Sequence, residues 1–141
     1  METTNATKIT VESTVKAPVE KVWDYWTTPA HIMEWNSASP DWHTPRAEND
    51  LRTGGKFSSR MEARDGTLGF DFGGVYDDVS THKRIAYTME DGRTVAVTFT
   101  AKGNETHLSE TFDAESQNPV EMQRGGWQAI LDNFRKYTEG I

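Results

Sequence analysis

The N-terminal part of the chain alternates. From Lys8 to Val15, Ile9, Val11 and Val15 fall on one side and Thr10, Glu12 and Thr14 on the other. That period of two predicts a half-buried β-strand. The period then changes. After Ala17-Pro18, with Pro18 suited to a first helical turn, Val19, Val22, Trp23 and Trp26 recur at i, i+3, i+4 and i+7. This predicts a helix with one apolar stripe. Thr28-Pro29 breaks it, and a short helical turn follows through Ile32 and Met33 to Trp35. Residues 36–55 carry Pro40, Pro45, Gly54 and Gly55. They are expected to be mostly loop, with one short strand near Trp42–Ala47.

Three hairpins come next, and turn chemistry sets their registers. Asp65-Gly66 reads as a two-residue turn. It places Ala63 opposite Leu68, Met61 opposite Phe70, Ser59 opposite Phe72 and Phe57 opposite Gly74. The bulky apolar residues then share one face, with Arg60, Glu62, Arg64 and Asp71 on the other. A slip by one residue would scramble this sorting. A two-residue turn at Asp91-Gly92 fails the same test, because it sets Val95 against Thr88. A three-residue loop, Glu90-Asp91-Gly92 with a left-handed Gly92, pairs Tyr87 with Val95 and Ile85 with Val97. Gly103-Asn104 turns the last hairpin and sets Phe99 against Leu108, Val97 against Glu110 and Val95 against Phe112.

Asn118-Pro119-Val120-Glu121 has the composition of a helix start: a capping Asn118, a first-turn Pro119 and a capping-box Glu121. Trp127, Ile130, Leu131, Phe134 and Thr138 make the inward stripe of the helix, and Gly140 ends it. Gly125-Gly126 lies inside it at a cost of about 1 kcal/mol per glycine against alanine. The helix is expected to bend there or to admit a close neighbour.

Composition narrows the function classes. At 141 residues the chain is expected to form one domain over residues 8–139, behind a flexible tail at 1–7. Five Trp, six Phe and four Tyr supply a core of large flat rings that also suit a cavity wall. The net charge of −7 repels phosphate backbones and anionic bilayers, so neither nucleic acid nor a membrane surface is expected as a partner. Zero cysteines remove disulfides and thiolate chemistry and fit a cytoplasmic location. Residues 1–8 carry no apolar signal core, and no apolar run is long enough to span a membrane.

Candidate chemistry is sparse. Glu110 stands out, because its register puts a carboxylate among Val95, Val97, Leu108 and Phe112. A charge there is costly unless it is paired or solvated. It is either a polar anchor or general acid/base within a ligand cavity, or a group at the end of the sheet satisfied by water or an arginine. His43, in Asp41-Trp42-His43, is either a proton shuttle or ligand contact at the cavity mouth, or a surface loop histidine. Trp35, Met61, Phe70, Phe72, Tyr87, Trp127, Leu131 and Phe134 would line the space between sheet and final helix, as a pocket or as packed core. No metal site is expected, since no His/Asp/Glu spacing matches one, and no cofactor motif occurs. Gly54-Gly55 lacks the frame of a phosphate loop. Asp71, Asp77 and Asp78 read as a solvated face.

Taken with Trp35, Gly74, Tyr76 and Gly126-Trp127, the stretch Asp50-Leu51-Arg52-Thr53-Gly54-Gly55-Lys56-Phe57 and the turn Asp65-Gly66 resemble the START/Bet v 1-like superfamily. Within it the chain is similar to the family named for homology to the activator of Hsp90 ATPase. The resemblance covers Ile9 to Tyr137. It implies an α+β helix-grip fold: a curved antiparallel sheet of seven strands wrapped around a long C-terminal helix, with two short helices after the first strand. It also implies a cavity for hydrophobic small molecules. Superfamily members include lipid carriers, plant hormone and allergen proteins, polyketide cyclases and aromatases. The Hsp90 activator itself uses such a domain on its chaperone beside a separate N-terminal domain, for which this chain has no room. The resemblance transfers no catalytic residue.

Three functions are therefore carried forward. First is binding of a hydrophobic small molecule. Second is a cyclase-, aromatase- or hydrolase-like enzyme using Glu110 and His43. Third is a stress- or chaperone-related interaction module. The chain is expected to be a monomer or a homodimer, the latter through an edge strand or the Trp42 loop.

Overall fold

The computed structural model describes residues 7–140. The elements run β1 (Lys8–Val15), α1 (Val19–Thr27), α2 (Pro29–Trp35), β2 (Trp42–Asn49), β3 (Lys56–Ala63), β4 (Gly69–Ser80), β5 (Arg84–Met89), β6 (Thr94–Lys102), β7 (Glu105–Asp113) and α3 (Val120–Glu139). The seven strands form one antiparallel sheet in the order β1-β7-β6-β5-β4-β3-β2. α3 packs along β1 and, with α1 and α2, closes the concave face. This is the α+β helix-grip architecture. Of the tail expected over residues 1–7, residues 1–6 lie outside the described residues, while the Thr7 carbonyl accepts from the Ala114 N–H at 2.8 Å.

All the hairpin registers read from the sequence are present. Met61 faces Phe70, Tyr87 faces Val95 and Val97 faces Glu110. The first turn differs from expectation. A two-residue type I′ turn needs positive φ at both central residues, and His82 is the only described non-glycine with positive φ. The chain instead closes through Arg64–Thr67. The Ala63 N–H donates to the Leu68 carbonyl at 3.0 Å, and the Asp65 carboxylate accepts from the backbone and hydroxyl of Thr67. β2 also extends past Ala47 to Asn49.

The sheet curls where β4 carries its glycines and a bulge between Tyr76 and Asp78. A Cβ on Gly74 would lie 2.4 Å from the Thr88 carbonyl oxygen, so the adjacent strand sits too close for a side chain. The Asp50–Phe57 turn is tied to this strand. Gly54 N–H donates to the Tyr76 carbonyl (2.8 Å), and Tyr76 N–H donates to that of Gly55 (2.9 Å).

At the start of α3, Pro119 occupies the capping position and Asn118 makes no side-chain cap. Gln123 closes the turn instead, donating to the carbonyls of Glu115 and Asn118 and accepting from the Glu115 N–H. The helix runs through Gly125-Gly126 without interruption. A Cβ at either glycine would meet nothing within 4 Å, so no neighbour exploits the missing side chains.

The interior divides in two. Near α1 and α2, Phe134 packs edge to face on Trp26 and Trp35 at 4.8 and 5.0 Å between ring centres, and the two indoles lie tilted on each other at 4.9 Å. Nearer the start of α3, Phe112 stacks on Trp127 at 3.8 Å with rings 10° apart.

Candidate functional site

Between these two ring clusters lies a cavity of about 300 Å³. The inner faces of β3, β4, β5 and β7 form its floor. The α2 residues Ile32 and Trp35 and the α3 residues Trp127 and Ile130 form its roof. Of the residues expected to line it, Trp35, Met61, Phe70, Phe72, Tyr87, Glu110 and Trp127 do so. Phe70 sits at the rim, 51% exposed, with its ring 5.9 Å from that of Trp42.

Three residues fall elsewhere. Leu131 and Phe134 are 1% and 0% exposed but lie within packed core and do not border the cavity. The inward stripe of α3 is wide, and only its Trp127–Ile130 edge overlooks open space. His43 sits in the ladder opposite Glu62, with its Nε2 3.9 Å from a Glu62 oxygen, and takes no part in the cavity wall. The paired arrangement of Glu110 and His43 is therefore corrected: β2 is a true strand, and its pleat turns His43 away.

The floor carries the polar groups. Glu110 is 6% exposed, between Leu108 and Phe112 along β7 and beside Val11 and Val97 across the ladder. Its carboxyl has no hydrogen-bond partner among the described residues, and burial pushes its pKa up to about 8. Tyr87, two strands away on the same floor, is held well above the ordinary phenol range by burial and then by the charge of Glu110, with Arg93 pulling the other way. Burial takes Tyr76 up to about 12, although its hydroxyl donates to Asn49 Oδ1. The Asn49 amide in turn donates to the Thr27 carbonyl at 2.6 Å, joining the sheet to α1. Arg93 borders the same space while its Nε donates to Asp91 Oδ2 at 2.7 Å.

Sequence reasoning missed several wall residues. Phe57, Ser59, Ile85 and Arg93 share the inward parity of Met61, Tyr87 and Val95, so the registers already contained them. Asn36 had no such signal, because it follows a helix and its direction depends on how α2 docks. Among the described residues, no group of three or more acidic or histidine side chains comes together to hold a metal, and no helix is long and apolar enough to cross a membrane.

Comparison with known proteins agrees with this architecture. A family model described as Activator of Hsp90 ATPase homolog 1-like protein matches residues 16–139. The solution structure of an AHSA1-like protein from Aeromonas hydrophila is 43% identical with a TM-score of 0.89, covering 95% of this chain and 93% of its own. A protein from Cytophaga hutchinsonii is 57% identical with a TM-score of 0.82, over 94% and 92% of the two chains. One from Nitrosomonas europaea shares the fold at 19% identity, with a TM-score of 0.81 and 94% coverage of each chain. No curated protein matches the chain.

Proposed function

The chain belongs to the Activator of Hsp90 ATPase homolog 1-like protein family, and we propose that it serves there as a binding protein for a hydrophobic small molecule, held between the sheet and α3. One observation carries the reading: a cavity of about 300 Å³ walled mostly by rings, with a few polar groups converging on it. That volume is at the lower end of the range for ligand sites, and an apolar wall with sparse polar groups is their usual make-up. Glu110 and Tyr87 border this space, and neither side chain hydrogen-bonds another described residue, which leaves both free to meet a ligand.

The test is a fluorescence titration with N-phenyl-1-naphthylamine, a neutral apolar probe. Saturable enhancement is expected, lost in Ser59→Phe, which fills the floor opposite Phe72. Thermal melts check that the variant folds. If the wild-type protein neither binds the probe nor shifts its melting temperature across a library of apolar compounds, the reading is wrong.

A further inference from the structure

Glu110 is the one carboxyl among the residues that line the cavity. Its position on β7 is inward by register, and its four backbone neighbours along and across the ladder are Leu108, Phe112, Val11 and Val97. No described residue hydrogen-bonds its carboxyl, which borders the cavity. A buried carboxyl without a donor is a poor packing element, and it is an effective recognition element for a ligand that brings the missing donor.

We propose that the ligand of this cavity carries a protonated amine, seated against the Glu110 carboxylate, on an aromatic or alkyl body enclosed by the rings. The inference rests on the cavity being a binding site and adds the chemical class of its occupant. Trp35, Phe72, Tyr87 and Trp127 border the same space, and ring faces attract cations. The net charge of −7 draws cations toward the protein. Arg93, the cation on the wall, is already engaged by the Asp91 carboxylate at 2.7 Å. Its influence reaches Tyr87 but does not figure in the state of Glu110, which burial alone sets.

Binding then moves a proton. In the free protein at neutral pH the carboxyl is mostly protonated. As the ammonium docks, the Glu110 O–H bond breaks, its proton leaves to solvent, and a carboxylate–ammonium pair remains. The ionised fraction of a group with a pKa of about 8 climbs from about one in a hundred at pH 6 to about one half at pH 8. Apparent affinity for an amine therefore rises on the order of 50-fold over that window. Among the described residues, the other titratable groups on the cavity wall are Tyr76, Tyr87 and Arg93. Tyr76 and Tyr87 are shifted upward, away from that window. β1 and β6 present Val11 and Val97. α1 contributes Trp26, α2 contributes Ile32, Trp35 and Asn36, and α3 contributes Trp127 and Ile130. Asp132 of α3 accepts from Gln128, which also binds the Glu12 carbonyl, outside the cavity wall.

Three probes of one shape make the test: 1-naphthylmethylamine, 1-naphthylmethanol and 1-naphthoic acid. Each is titrated calorimetrically into wild-type, Glu110→Gln and Glu110→Leu protein at pH 6, 7 and 8, beside the neutral probe N-phenyl-1-naphthylamine. The amine is expected to bind at least 10-fold tighter than the alcohol at pH 8. It should tighten by tens of fold from pH 6 to 8 and release close to one proton at pH 6. Both variants should lose the amine preference over the alcohol and its pH dependence. The inference is overturned if amine and alcohol bind alike, if the preference survives in both variants, or if the acid binds tightest, which would assign recognition to Arg93. Neutral-probe binding without amine preference removes this inference and leaves the cavity reading intact. Failure of every probe removes both.

Discussion

Glu110 keeps its proton to about pH 8 in the folded protein, against an ordinary value of 4.5. An unfolded chain therefore gives up this proton several pH units before the native state does. The sign follows directly. Below the unfolded value both states hold the proton and the group is neutral in the balance. As pH rises from there toward 8, the unfolded state is increasingly favoured, and stability falls by an amount on the order of 4 kcal/mol. Glu110→Gln removes the titration. In urea unfolding, its stability gain over wild type should be small at pH 5 and reach a few kcal/mol by pH 8.5. Parallel behaviour of the two proteins across that range would refute the assignment. The inward direction of Glu110 was legible from the Gly103-Asn104 turn and the alternation of β7. That no described side chain hydrogen-bonds its carboxyl was not legible, since that depends on which residues the other elements bring to the same space.

At the scale of elements, the glycines separate into those that shape the fold and those that do not. Gly55 packs inside the Asp50–Phe57 turn, where a Cβ would stand 2.0 Å from the Asp50 carbonyl oxygen. Gly125 lies in α3 with open space around it. Gly55→Ala should cost about 1–3 kcal/mol, as overpacking does. Gly125→Ala should gain about 1 kcal/mol from helix propensity. Chemical denaturation of the two variants checks both, and equal effects would mean that the turn yields more readily than its geometry implies. The sequence marks both positions as unusual, one as a loop and one as a helix interruption. It could not tell a glycine pressed by a neighbouring backbone from a glycine with none. The start of α3 teaches the same point. Asn118 and Glu121 have the composition of a cap, yet Glu115 and Gln123 close the turn, because the chain's approach from β7 brings the Glu115 backbone within reach of Gln123.

At the scale of the whole molecule, the division between cavity and core governs what aromatic residues contribute. Phe70 and Phe134 are the same side chain on the same inward-facing stripes of their elements. One is 51% exposed at the rim and the other 0% exposed between Trp26 and Trp35. Phe134→Ala should cost about 3–5 kcal/mol, as a core phenylalanine does. Phe70→Ala should stay within about 1 kcal/mol in stability while weakening the binding of N-phenyl-1-naphthylamine. Stability and probe titrations on the two variants separate the roles, and a large stability loss in Phe70→Ala would mean the rim is core.

The sequence by itself determined the elements and their pairing. Alternation, helical spacing and turn residues are local, and each hairpin register was over-determined by several apolar pairs at once. The inward face of each strand followed, and with it most of the cavity wall. Only the tertiary structure decided where the interior stays open. An inward residue becomes wall or core according to the distance to the element opposite, and that distance depends on the curl of the sheet at Gly74 and on the docking of α2 and α3. These are sums over many long-range contacts, so no local pattern encodes them. Leu131 and Phe134, candidates for the wall, therefore proved core, and His43, a candidate for the cavity mouth, proved to sit opposite Glu62 in the ladder.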